Sequence, residues 1–176
     1  MNNEIIICVG IPGSGKSTFA KKWITEDSKN RIRLNGEDIL NSMTNNTYVK
    51  DVYKFIKLEL IPQLVENFID KGKSIVLDNT HIDPKYFYYI FYKTGFILLA
   101  KHKERDYNII IKDFTGIDSE VCINWDSKRI KPVGRDEIEK CYISNLDAIK
   151  ECISDLSEKI ENEYIGQIRV KIDKIY

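Results

Sequence analysis

The sequence lacks the features that define several large classes of protein. No apolar run approaches the roughly 18 residues that a membrane-spanning helix needs, and the amino terminus does not have the layout of a signal peptide. The cysteines, Cys8, Cys122, Cys141 and Cys152, form no C-x-x-C pair and have no histidine beside them. That spacing favours reduced thiols over a disulfide framework or a zinc site. We therefore expect a cytoplasmic protein that has no membrane partner.

An excess of charge of one sign is also missing. Lysine and arginine together number 27, aspartate and glutamate also number 27, and the formal net charge is zero. Without an overall positive field, the protein would have to hold any nucleic acid through a local basic patch. The 176 residues contain no repeat, low-complexity tract or linker. We therefore expect a single domain over residues 1–176.

The most informative segment runs from residue 10 to residue 17 and fits the pattern G-x-x-x-x-G-K-[ST]. An apolar segment at 4–9 precedes it, as a buried strand should, and apolar residues at helical spacing follow it. In this context glycines let successive backbone amides point into one concavity, Lys16 reaches the β- and γ-phosphates, and the Ser17 hydroxyl ligates Mg²⁺. We therefore expect ATP or GTP to bind with Mg²⁺ at these residues: Gly10, Pro12, Gly13, Ser14, Gly15, Lys16, Ser17 and Thr18.

Strands and helices are predicted to alternate along the rest of the chain. Four further segments are rich in β-formers and predict strands: 31–35, 74–78, 107–114 and 167–172. Alternation after a phosphate-binding loop predicts an α/β fold of the P-loop NTPase and kinase type. Its five-stranded parallel sheet would be covered by helices on both faces.

Two of the helical segments contain a local conflict. The long pattern at 50–71 includes Pro62, which should kink the helix or mark a restart. The segment 84–105 predicts a helix despite Gly95, but its many β-formers leave a hairpin of two strands open.

Acidic residues that end strands are the next candidates, because ligands of parallel sheets lie beyond the carboxyl ends of the strands. Glu37 and Asp38 follow the second predicted strand, and Asp78 ends the third. A kinase needs a carboxylate near the acceptor hydroxyl as general base, a role that suits Glu37 or Asp38. The same pair is also an ordinary start of a helix. Asp78 could hold Mg²⁺ or orient the acceptor.

Residues 118–135 combine a short predicted helix with the densest basic run of the chain. Val121, Cys122 and Trp125 are predicted to form the buried face of that helix, and Arg129 continues the face by one turn. A basic run is usually a solvated surface. We nevertheless expect residues 118–135 to form a lid whose Arg129 stabilises the γ-phosphate in the transition state.

In chain order, the segments G-I-P-G-S-G-K-S-T, R-L-N-G-E-D, D-N-T-H-I-D-P and N-W-D-S-K-R resemble the phage- and animal-type polynucleotide 5′-hydroxyl kinases. The resemblance implies a P-loop kinase fold and ATP-dependent transfer of the γ-phosphate to a 5′-hydroxyl end of RNA or DNA. It implies that Lys16 and Ser17 serve the nucleotide and metal, that Asp78 is the acceptor-side acid and that Arg129 is the lid arginine. Because basic residues concentrate in the lid, the phosphates of such an acceptor are expected on that side.

The chain departs from this family at two positions. The family's general base is an aspartate two residues after the asparagine of the second strand, where this chain has Glu37, with Asp38 beside it. Three residues later, phage-type members carry an arginine for the substrate phosphate, and this chain has Leu40. A small-molecule kinase for a nucleoside, sugar or antibiotic therefore stays open, as does a slow NTP-hydrolysing switch protein.

The last long segment, 135–160, predicts a helix with an apolar seam. The seam residues alternate steps of four and three, as in a coiled coil: Tyr142, Leu146, Ile149, Ile153, Leu156 and Ile160. Acidic residues flank the seam and would repel a second copy: Glu151, Asp155, Glu158, Glu161 and Glu163. We therefore expect the seam to pack against the sheet and the protein to be a monomer.

Overall fold

Five parallel strands form one central sheet in the computed structural model, which describes residues 2–162 and 168–176, with side chains in the last helix only to residue 159. The strands are β1 (Asn3–Val9), β2 (Arg31–Leu34), β3 (Ser74–Leu77), β4 (Tyr107–Asp113) and β5 (Arg169–Lys174). Hydrogen-bonded neighbours follow the order β2-β3-β1-β4-β5, and each neighbouring pair is parallel. The predicted α/β fold with five parallel strands is confirmed.

The segments between the strands are mainly helical. The described helices are α1 (Lys16–Glu26), α2 (Gly36–Thr44), α3 (Lys50–Phe55), α4 (Ile61–Asp70), α5 (Pro84–Ala100), α6 (Ser119–Asp126) and α7 (Arg135–Asn162). One π-helical segment, Ile56–Leu60, joins α3 to α4. None of these helices is long and apolar enough to cross a membrane.

Hydrophobic clusters lie on both faces of the sheet, because successive residues of a strand point to opposite sides. Ile5 and Ile7 of β1 belong to the larger cluster, which also contains buried residues of α4, α5 and α7. Ile6 and Cys8 belong to the smaller cluster, where they pack with Trp23 of α1. Burial on both faces explains why β1 is an unbroken apolar run rather than an alternating one.

Pro62 lies in the first turn of α4, where the helix changes type without a break, because residues 50–70 are helical throughout. The amide of Ile61 donates to the carbonyl of Ile56 in the π segment that comes directly before α4. Pro62 has no amide hydrogen, so the carbonyl of Leu58 loses the donor that a regular α-helix would supply. Lys57 and Leu58 therefore offer carbonyl groups to side chains of other elements.

The segment with the second conflict, 84–105, contains a helix and no hairpin. Residues Pro84–Ala100 form one helix that continues through Gly95. Asp83 caps it, because its side chain accepts hydrogen bonds from the amides of Lys85 and Tyr86. Tertiary burial of its aromatic face outweighs the β-propensity of the individual residues.

The seam of the last helix packs inside the domain, as expected. Leu146, Ile149, Ile153 and Leu156 are buried in the larger cluster, whereas Tyr142 is 39% exposed. The side chains of Ile160 and Glu161 lie outside the described residues, as do Glu163 and Gln167, the last of which was predicted to begin β5.

Candidate functional site

The loop between β1 and α1 has the conformation that its glycines permit. Gly13 and Gly15 have φ angles of 82° and 90°, in the left-handed region that favours glycine. A Cβ atom on Gly13 would lie 2.3 Å from the carbonyl oxygen of Cys122 in α6. The two glycines thus allow the loop both to curl and to contact the predicted lid helix.

Lys16 is buried within this loop and points back across it. Its Nζ donates hydrogen bonds to the carbonyl of Ile11 at 2.6 Å and to Ser14 Oγ at 3.2 Å. Burial lowers the pKa of Lys16 to about 8, although the charge of Asp78 opposes this shift. The ammonium group is therefore held beside the loop amides, where phosphate oxygens would stabilise its charged form.

Asp78 follows β3 and is fixed from two sides. Ser17 Oγ donates to its Oδ1 at 3.1 Å, and Arg33 Nε donates to its Oδ2 at 2.7 Å. The hydroxyl and the carboxylate are hard oxygen donors of the kind that Mg²⁺ prefers, and Mg²⁺ usually binds with one or two such groups plus phosphate and water. Ser17 and Asp78 therefore fit the predicted metal site.

Glu37 and Asp38 start the same helix but have different surroundings. Asn35 caps α2 by accepting the amide of Asp38 at 2.9 Å. The Asp38 carboxylate forms a salt bridge with Arg33 and does not line the cavity described below. Glu37 is exposed, lines the cavity and makes no salt bridge with another described residue. Its charge also contributes, after burial, to raising the pKa of the neighbouring Tyr53 to about 12.

The D-N-T loop is hydrogen-bonded to both of its neighbours. Thr80 accepts the amide of Gly10 through its carbonyl at 2.9 Å, and Asn79 Oδ1 accepts the amide of Gly36 at 3.0 Å. These bonds bring the ends of β1, β2 and β3 together, as the topology predicted. His81, which directly follows this loop, is buried and does not line the cavity described below, and its Nδ1 donates to the carbonyl of Cys8 at 2.7 Å.

The end of α6 and the turn that follows it lie beside the phosphate loop. Trp125 of α6, and Arg129 and Val133 after it, line the cavity together with that loop. Asp126, 1% exposed, accepts hydrogen bonds from Arg129 Nη1 at 3.0 Å and from the amide of Gly134 at 2.9 Å. One buried carboxylate therefore fixes both ends of the turn that carries Arg129.

The predicted buried face of α6 is wrong in two of its three members. Cys122 is fully buried, but Val121 and Trp125 are 38% and 45% exposed. The helix ends at Asp126, so Arg129 reaches the cavity from the following turn rather than from a continued helix. Trp125 lines the cavity and lies next to the phosphate loop. A Cβ atom added to Gly15 would be 3.7 Å from its indole ring.

One cavity of about 540 Å³ unites most of the predicted site. The predicted residues that line it are Pro12, Gly13, Gly15, Lys16, Ser17, Thr18, Glu37, Asp78 and Arg129. Gly10 and Ser14 belong to the same loop but are buried and do not line the cavity. Asp38 does not line the cavity either. The catalytic roles of all these residues stay predictions.

Sequence reasoning missed several residues of this site. Lys21, Glu137 and Cys141 also line the cavity. Arg33 does not line it but donates a hydrogen bond to the carboxylate of Asp78. Their signal in the sequence is weak, because each lies in an ordinary helix or strand. Arg33 alternates with apolar residues in R-I-R-L, as Arg31 does, so the sequence does not single it out.

The fold and the loop together define a P-loop protein of the kinase type, a fold that binds nucleotide phosphates. A family model described as an AAA domain matches residues 5–133. The chain belongs to this AAA-domain family.

Individual proteins resemble parts or most of the chain. It is 35% identical over 80 residues to a putative bifunctional polynucleotide phosphatase/kinase of Acanthamoeba polyphaga mimivirus, which covers 46% of this chain and 15% of that protein. A chain in the structure of the Pnkp1/Rnl/Hen1 RNA repair complex has a TM-score of 0.67 and 22% identity, over 85% of this chain and 46% of that one. A chain of the PezAT toxin-antitoxin system of Streptococcus pneumoniae has a TM-score of 0.60 and 20% identity, over 98% of this chain and 67% of that one. The chain thus spans less than half of the first two relatives.

Proposed function

We propose that the protein transfers the γ-phosphate of ATP, bound with Mg²⁺, to the 5′-hydroxyl end of a polynucleotide. The observation that carries the proposal is the position of Glu37. It is a carboxylate without a salt bridge among the described residues, and it lines the same cavity as Lys16, Ser17 and Arg129. A hydrolytic switch needs no such base, whereas a kinase needs one beside the acceptor oxygen.

The residues divide the reaction between them. Lys16 and the loop amides hold the β- and γ-phosphates, and Ser17 and Asp78 would hold Mg²⁺, which would neutralise charge on the phosphate oxygens. Glu37 takes the proton of the acceptor hydroxyl as its oxygen bonds to the γ-phosphorus, and ADP leaves. Arg129 stabilises the charge that develops on the transferred group.

The relatives support a polynucleotide as the acceptor. The mimivirus protein is named a polynucleotide phosphatase/kinase, and the first structural neighbour comes from an RNA repair complex. The D-N-T loop is hydrogen-bonded to the start of α2, so two segments that carry the resemblance to polynucleotide kinases lie together beside Glu37.

A small-molecule kinase is the second candidate, and Leu40 favours it. Leu40 is 2% exposed and belongs to the larger hydrophobic cluster, so this position supplies no cation for a substrate phosphate. Either a small acceptor needs no such contact, or the cations for a polynucleotide lie elsewhere on the surface.

An acceptor panel with γ-labelled ATP separates the candidates. We expect label transfer to 5′-hydroxyl oligonucleotides to exceed transfer to nucleosides, sugars and aminoglycosides. Lys16→Ala should abolish transfer while the fold is retained, because Lys16 stabilises the transferred charge. Preferred labelling of a small acceptor would overturn the proposal, as would ATP hydrolysis that no acceptor stimulates.

A further inference from the structure

A second groove, of about 540 Å³, lies next to the phosphate-binding cavity. Its walls come from α3, the π segment and the start of α5, and they carry four lysines and four tyrosines. Tyr53 lines both the groove and the phosphate-binding cavity, where Glu37 is its neighbour. The groove therefore begins at the proposed acceptor hydroxyl and leads away from the nucleotide.

The lysines of the groove are available to a ligand. None of Lys50, Lys54, Lys57 and Lys85 makes a salt bridge with another described residue. The lining contains one carboxylate, that of Asp83, which already accepts the amides of Lys85 and Tyr86 at the start of α5. The groove thus has an excess of positive charge in a protein whose net charge is zero.

Two of the four basic residues of the lid, Arg129 and Arg135, are less available. Arg129 pairs with Asp126, and Arg135 pairs with Glu120 and Glu139. The expectation that acceptor phosphates lie on the lid side rested on the density of basic residues in the sequence. Lys128 and Lys131 of the lid make no salt bridge with another described residue. The groove is still the better candidate, because it offers four unpaired lysines where the lid offers two.

The tyrosines of the groove are held in place by the π segment. Tyr89 donates its hydroxyl hydrogen to the carbonyl of Leu58 at 2.7 Å, the group left without a donor by Pro62. Tyr86 donates to the carbonyl of Lys57 at 3.4 Å. The carbonyl groups of the π segment therefore fix two tyrosine rings at the groove wall. Such π-helical segments often occur at functional sites.

Aromatic surface is exposed along the same groove. Tyr48 is 67% exposed and its ring centroid lies 5.8 Å from that of Tyr53. Lys57 Nζ lies 3.8 Å from the centre of the ring of Tyr86, which is itself only 7% exposed. Unpaired lysines beside exposed aromatic rings are the two features by which proteins bind single-stranded nucleic acid, through phosphates and stacked bases respectively.

We propose that this groove binds the single-stranded polynucleotide downstream of its 5′-hydroxyl, with phosphates on the four lysines and a base on Tyr48. The proposal rests on the proposed function for the direction of the strand, but strand binding is measured without phosphoryl transfer. The groove lysines would also replace the cation that phage-type family members carry at the position of Leu40. An acidic protein segment is the competing occupant, and it would use the lysines without needing the exposed ring.

Fluorescence anisotropy of a labelled 5′-hydroxyl oligothymidylate tests the groove directly. Four lysine–phosphate contacts predict that log Kobs falls with log salt with a slope of about −2.8, at about −0.7 per contact on single strands. The double variant Lys54→Ala/Lys85→Ala should halve that slope and, at 0.1 M salt, weaken binding about 25-fold. Both side chains are exposed and make no described hydrogen bond, so the substitutions leave the core intact.

A matched control removes two positive charges at the opposite edge of the sheet. Lys29 and Lys71 are exposed and lie before β2 and β3, at the amino ends of the strands. Lys29→Ala/Lys71→Ala should keep the affinity and slope of the parent. Equal weakening by both double variants would show a general charge effect and overturn the groove, and so would parent-like binding by Lys54→Ala/Lys85→Ala.

Tyr48→Ala separates a nucleic acid from an acidic protein segment. Loss of a stacked base should weaken oligonucleotide binding about tenfold. Two results together would overturn the proposal in favour of a protein partner. Tyr48→Ala would bind the oligonucleotide as tightly as the parent does, and the parent would bind polyglutamate as tightly as the oligonucleotide. If the oligonucleotide binds in the groove but is not phosphorylated, only the proposed function is contradicted. If the groove variants phosphorylate the oligonucleotide as well as the parent does, only the proposed groove is contradicted.

Discussion

Two adjacent carboxylates begin α2, and only one of them faces the cavity. Glu37 lines it, whereas Asp38 is paired with Arg33 outside it. Glu37→Gln should therefore lower kcat by about 10² or more, because a general base contributes that much, while Asp38→Asn should have a much smaller effect. Steady-state kinetics with a 5′-hydroxyl oligonucleotide would measure both. A large loss in Asp38→Asn with near-normal Glu37→Gln would reverse the assignment.

Arg129 offers a second test at the scale of one residue. Arg129→Ala should lower turnover by about 10³ or more while nucleotide affinity changes much less, since an arginine in cis acts mainly in the transition state. Lys128→Ala is the matched control, because Lys128 is an exposed neighbour that does not line the cavity. If affinity and turnover fall together in Arg129→Ala, the arginine is a ground-state binding residue.

The connection between β3 and α5 contains a histidine whose burial makes stability depend on pH. Burial lowers the pKa of His81 to about 4, and its hydrogen bond to the carbonyl of Cys8 only partly opposes this. Because the folded pKa lies below the unfolded value of about 6.5, the unfolded chain binds the proton first as pH falls. This contribution to stability is complete above about pH 6.5 and is lost progressively down to about pH 4.

Denaturant unfolding at pH 7 and pH 5 would measure the effect. The histidine alone should lower the free energy of unfolding by about 2 kcal/mol over this interval. His81→Gln should remove that part of the pH dependence, and His102→Gln, at the exposed second histidine, should retain it. Identical pH dependence in the parent and His81→Gln would show that His81 is not neutral in the fold.

The elements were easier to predict from sequence than the contacts between them. The phosphate loop, the strand ends and the helix at 84–105 follow from local patterns of glycine, apolar periodicity and capping. Arg33 and Asp78 are 45 residues apart, and their pairing exists only once β2 and β3 are neighbours. Likewise, the groove draws Lys54 and Lys85 from different elements, so no single segment of the sequence looked basic enough to reveal it.

At the scale of the whole molecule, we expect a monomer, because the apolar seam of α7 is used within the domain. Ile149, Ile153 and Leu156 are buried against the larger cluster and cannot also pair with a second copy. Light scattering at micromolar concentration should give the mass of one chain, 20.6 kDa. Twice that mass would contradict this.

The position of the transferred phosphate would show whether the protein is a 5′-hydroxyl kinase. A 5′-hydroxyl oligonucleotide would be incubated with the protein and γ-labelled ATP, then digested to nucleoside 5′-monophosphates and separated by chromatography. We expect the label in the nucleotide from the 5′ end of the oligonucleotide. Lys16→Ala should transfer no label, and an oligonucleotide that already carries a 5′-phosphate should accept none. Label recovered only as inorganic phosphate, or equal labelling of the two oligonucleotides, would contradict this expectation.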